Sequence, residues 1–73
     1  MKNYYYSKEN KAIIPFDKVL FVTEDNTYKN VSFVSFSSNV YIKLKGIEDE
    51  EFRKVYIEWL DRNNICVRYT YKT

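Results

Sequence analysis

The chain has 73 residues, with eight Tyr, five Phe and one Trp, twelve basic against ten acidic side chains, one cysteine and no histidine. This size allows one domain, residues 1–73, with a small core, and the lone thiol without histidine excludes an internal disulfide and a Cys/His zinc site. A net charge of +2 is too balanced for general electrostatic attachment to nucleic acid and opposite in sign to an acidic mimic of it.

Tyr4-Tyr5-Tyr6 has strong strand propensity and is followed by a polar turn over Ser7 to Lys11. Ala12-Ile13-Ile14 is apolar, and Pro15 biases Ile14 away from helix towards extended backbone. Val19-Leu20-Phe21-Val22-Thr23 reads as a strand because it is rich in β-branched and aromatic residues, and Glu24 to Thr27 closes it. A longer strand is expected from Tyr28 to Phe36, then a turn at Ser37-Ser38-Asn39. Val40 to Lys45 alternates with period two, with Val40, Ile42 and Leu44 on one face and Tyr41, Lys43 and Lys45 on the other. Gly46, the only glycine, ends it.

From Glu48 to Asn63 the period becomes helical: Phe52, Val55, Tyr56, Trp59 and Leu60 form one apolar stripe. The run Glu48-Asp49-Glu50-Glu51 lies in the first turn and Arg62 in the last, as the helix dipole favours. With Asp49–Arg53, Glu50–Lys54 and Glu58–Arg62 spaced at i,i+4, the acidic run reads as a solvated ion-pair face. Ile57 lies off the stripe, towards solvent. After Asn63-Asn64, Ile65 to Tyr71 reads as a final strand, with Cys66 as a small packing residue. The expected architecture is α+β: a small antiparallel β-sheet of four to five strands packed on one C-terminal helix, in the order β-β-β-β-α-β.

One helix covers one face of a small sheet, and the other face is then normally polar. The strands at 19–23 and 28–36 depart from that rule. Val31 and Phe33 point one way and Val34 and Phe36 the other, unless a β-bulge resets the register or the N-terminal segment covers the second face. An apolar face left over is expected to meet a second copy of the chain or another protein. Tyr4, Tyr5, Tyr6, Leu20, Val22, Val34 and Phe36 are the residues expected to form that protein interface, since rigid aromatic area suits contact surfaces.

Tyr41, Lys43 and Lys45, extended by Arg68, carry the alternative. Aromatic and basic side chains on one strand face suit stacking of bases and contact with phosphates of single-stranded RNA or DNA. Catalysis is not expected. Without histidine, acid–base work falls to Asp17, Glu24 or Asp25, which have no paired partner by spacing, and one glycine makes no phosphate-binding loop. No cofactor or metal is expected either.

Residues with AT-rich codons (Phe, Tyr, Met, Ile, Asn and Lys) make up about half the chain, whereas Gly, Ala and Pro total three. In size, in this composition and in its lack of catalytic groups the chain resembles the short accessory proteins of AT-rich bacteriophages, many of which bind and inhibit a host factor or defence system. That resemblance implies a non-catalytic protein-binding inhibitor, expected to act as a homodimer. The alternatives are the single-strand binder above and a structural subunit of a larger assembly. No apolar run reaches transmembrane length and Met1 to Lys8 has no signal-peptide stretch, so the expected location is the cytoplasm.

Overall fold

The computed structural model describes residues 2–63. The strand expected at 65–71, with Cys66 and Arg68, lies outside the described residues. Two strands open the chain, β1 (Tyr4–Ser7) and β2 (Ala12–Pro15), followed by a 3-10 turn at Phe16–Lys18. Three more strands, β3 (Phe21–Glu24), β4 (Val31–Ser35) and β5 (Tyr41–Lys45), lead into one helix, α1 (Ile47–Arg62). The α+β class is as expected. The strands divide into a two-stranded sheet, β1-β2, and a three-stranded meander, β3-β4-β5, rather than forming one sheet.

Each connection has a local cause. The β1–β2 turn closes with Lys11 N donating to Lys8 O at 3.3 Å, and Lys11 takes a left-handed φ of 52°. The β3–β4 loop is an Asx turn, in which the Asp25 carboxylate accepts from the amides of Thr27 at 2.6 Å and Tyr28 at 2.9 Å. Its short polar side chain suits Asn30 to the left-handed φ of 56° that ends this loop. Phe36 N donates to Val40 O at 2.8 Å to close the β4–β5 turn.

Register decides which residues share a face. β4 pairs without interruption from Val31↔Lys45 to Ser35↔Tyr41, and β3 pairs with it from Phe21↔Ser35 to Glu24↔Ser32. No bulge resets β4. Val22, Glu24, Ser32, Val34, Ile42 and Leu44 therefore share the inner face, which meets α1. Phe21, Thr23, Val31, Phe33, Ser35, Tyr41, Lys43 and Lys45 share the outer face.

The core joins the inner face to the helix and to the β1-β2 hairpin. Ile14, Phe16, Val19, Val22, Val34, Leu44, Phe52, Tyr56 and Leu60 form one buried cluster, with Tyr5, Phe36, Ile42, Val55 and Trp59 packed against it. Phe16 is its hinge. Its ring lies 6.0 Å from Phe52, 5.5 Å from Tyr56 and 5.7 Å from Trp59, while its amide donates to Asn3 O at 2.9 Å. Tyr5 meets Phe52 edge-on at 5.8 Å, and Phe52 stacks on Tyr56 at 5.2 Å. Each such ring pair adds about 0.5–1.5 kcal/mol beyond its burial. The hairpin thus packs on the helix and leaves the outer face of the meander to itself.

Gly46 makes the turn from β5 into α1. Its φ of 65° and ψ of −132° fall in a region open essentially to glycine alone, and its amide donates to Asn30 O at 2.8 Å. A Cβ there would meet no atom within 4 Å, so the cost of a side chain is conformational, not steric crowding. Gly46→Ala is expected to lower stability by about 1–3 kcal/mol, read from the urea midpoint, with the slope unchanged.

Candidate functional site

The acidic start of α1 is a tertiary junction. Glu48 reaches the β1–β2 turn: it accepts from Ser7 Oγ at 2.6 Å and from the amides of Lys8 at 2.8 Å and Glu9 at 3.2 Å. Fully buried Ser7 in turn accepts from the Asn10 side-chain amide at 2.9 Å, and that amide also donates to Lys43 O at 3.1 Å. Partial burial pushes the Glu48 carboxyl up, but the bonds from Ser7, Glu9 and Lys8, with the Lys8 charge, outweigh it and hold the group below its ordinary 4.5.

Asp49 turns the other way, into the meander, and has no exposed surface. Its Oδ1 accepts from Ser32 Oγ on β4 and from Arg53 Nε at 3.2 Å. Arg53 Nη2 lies 3.0 Å from Oδ2, an ion pair without hydrogen-bond alignment, and Nη1 lies 3.0 Å from Glu24 on β3. The pairing of Asp49 with Arg53 is as expected, but the solvated face expected there is not found, because Asp49 is buried against β4. Glu51 accepts from the Tyr5 hydroxyl at 3.0 Å. Burial above all, then this bond and the nearby charges of Glu48, Glu51 and Glu9, hold the Tyr5 hydroxyl well above the ordinary tyrosine range.

With both neighbours of the helix fixed in this way, the outer face of β3-β4-β5 is left uncovered by the other described elements. Tyr41 is 60% exposed and Phe21 37%, on either side of Ser35, and Phe33 is half-buried on the same face, meeting Tyr41 edge-on at 5.6 Å. Lys43 Nζ lies 6.0 Å from the Phe33 ring centre, within reach of a cation–π contact. Lys45 follows two residues on, on the same face. None of the eight outer-face residues is acidic. The carboxylate of Asp25 in the β3–β4 loop turns back on the amides of Tyr28 and Thr27, which hold it below its ordinary range with a smaller contribution from Lys43.

The expected protein-interface residues are dispersed. Val22 and Val34 are 0% exposed and belong to the core beneath α1, which corrects their assignment to a contact surface. Parity places them together, but the helix covers their side of the sheet and not the other. Tyr5 and Phe36 pack against the core as well, whereas Leu20 is half exposed. Tyr4 and Tyr6 remain exposed with Ile13 on the outside of the hairpin, as the pairs Tyr4↔Pro15 and Tyr6↔Ile13 require. By contrast Tyr41, Lys43 and Lys45 are brought together on one exposed face.

Phe21, Phe33 and Lys29 were not among the expected site residues. The two rings follow the period-two spacing of their strands, yet only the cross-strand register sets Phe21 and Tyr41 on either side of Ser35 and Phe33 opposite Lys43. Lys29 lies in the β3–β4 loop and is brought towards Lys43 and Lys45 by the fold. Among the described residues no group of three or more His, Cys, Asp or Glu is placed to hold a metal, and no helix is long and apolar enough to cross a membrane. No family model, curated protein or solved structure matches the chain.

The Glu48 junction yields a pH test. A carboxyl held below its ordinary value contributes stability that is present above about pH 4.5 and lost as the pH falls through the lower native value. Glu48→Gln removes that contribution. The gap in urea midpoint between the native chain and the variant is expected to be widest near neutral pH and to close on acidification. A gap that stays constant with pH would show that the charge is not what holds the hairpin turn.

Proposed function

We propose that this chain is a non-catalytic binding module whose contact surface is the outer face of β3-β4-β5. The observation that carries the reading is the set Phe21, Phe33 and Tyr41, held at a solvent-facing surface of rigid paired strands while α1 and the hairpin occupy the opposite side. Aromatic side chains at an open sheet face contribute contact area at little cost in conformational entropy. A small domain that leaves such area uncovered is suited to bury it against a partner. The acidic residues, meanwhile, are engaged in structural work: Glu24, Glu48, Asp49 and Glu51 each hold a neighbouring element.

A second reading, a protein partner or second copy docked on the hairpin, draws on a separate feature. Tyr4, Ile13 and Pro15 line an open groove of about 540 Å³ with Trp59 and Asn63. This is the part of the expected protein interface that remains at the surface.

The two readings separate by mutation. Phe21→Ser with Tyr41→Ser alters only the outer face and is expected to leave the circular dichroism spectrum unchanged. On the first reading it abolishes capture of partners from a cell extract, while Tyr6→Ser with Ile13→Ser leaves capture intact. Capture lost through the hairpin pair and retained through the outer-face pair would overturn the first reading in favour of the second.

A further inference from the structure

Resting on the reading that the outer sheet face is the contact surface, we infer that its occupant is a single-stranded nucleic acid. Charge and shape on that face select the partner. The three aromatic rings are flanked on β5 by Lys43 and Lys45, which lie about 7 Å apart along the strand. That spacing is comparable to the separation of successive phosphates along an extended single strand. Beyond Lys45 the face runs into an open concavity of about 600 Å³, where Lys29 joins Lys43 and Lys45 beside the exposed ring of Tyr28. Glu9 is the one carboxylate on its rim.

The surface is thus a line of rings leading to three ammonium groups. An apolar protein partner has no use for three lysines at the edge of its seat, and a folded duplex offers no exposed base for the rings. An unpaired strand satisfies both halves at once: bases stack on Tyr41, Phe33 and Phe21, and the backbone follows the lysines. A modest net charge of +2 is compatible with this arrangement, because Lys29, Lys43 and Lys45 gather at one place while Glu48, Asp49 and Glu50 lie at the helix start.

The test is fluorescence anisotropy of a labelled oligothymidylate about 12 nucleotides long, a length within the span of one small β-domain. Three phosphate contacts predict that the logarithm of affinity falls with the logarithm of salt with a slope of about −2. Lys43→Ala is expected to flatten the slope by about 0.7, and Tyr41→Ala to weaken binding by about 5- to 150-fold without changing the slope. Lys54→Ala removes the same charge from the exposed side of α1 and is expected to change neither affinity nor slope beyond error.

No salt-dependent binding, or equal losses from Lys43→Ala and Lys54→Ala, would overturn the inference. Failure here is distinguishable from failure of the contact-surface reading. If the oligonucleotide does not bind, yet Phe21→Ser with Tyr41→Ser abolishes capture from a nuclease-treated extract, the face binds a protein and only the single-strand inference falls. If the outer-face variants change neither assay, both fall.

Discussion

The N-terminal end of α1 ties the β1-β2 hairpin and the β3-β4-β5 meander to one helix. Three carboxylates within four residues are aimed at three different neighbours: Glu48 at the β1–β2 turn, Asp49 at β4 and Glu51 at Tyr5 on β1. Hydrogen bonds to charged groups are stronger than neutral ones where they are shielded from water, as at Ser7 and Ser32, so this end of the helix is a strong point in a small molecule. The contribution of Asp49 is partly offset by its own desolvation. What its contact with Ser32, and that of Arg53 with Glu24, add is orientation, since they fix which side of the meander faces the helix.

From that constraint the distribution of aromatic residues follows. Phe16, Phe52 and Tyr56 fill the space among hairpin, helix and inner face, with Tyr5 and Trp59 at its margin. Because β4 runs straight through its pairing, Val31 and Phe33 must lie opposite Val34 and Phe36, and a single helix cannot cover both sides. The hairpin is drawn to the helix by Glu48 and Phe16 and so is not available to cover the outer face. The exposed rings there are thus a consequence of how the charges at the helix start are used.

Much of this was legible in the residues. The strand expected at Val40–Lys45 is legible through its alternation and the helix through its stripe, because burial on one side imposes a period that survives in the sequence. Gly46 marked the junction between them. The acidic run was misread for a physical reason: a carboxylate that answers the helix dipole and one that clamps a distant turn have the same sequence signature. Val22 and Val34 were assigned to the wrong surface because parity says which residues share a face, not which face the helix will cover. Val40 shows the limit of alternation itself, since the strand begins one residue later and leaves it exposed.

The claim on which the functional account rests is that one face of the meander, and not the hairpin, makes the contact. An amide-resolved NMR titration of the isotopically labelled chain with oligothymidylate addresses it residue by residue. The account predicts shift changes concentrated at Phe21, Phe33, Tyr41, Lys43 and Lys45, with residues 4–15 and the helix at Phe52–Leu60 unmoved. Shift changes centred on Tyr4, Ile13 and Trp59 would contradict it, whereas none anywhere would remove only the single-strand occupant.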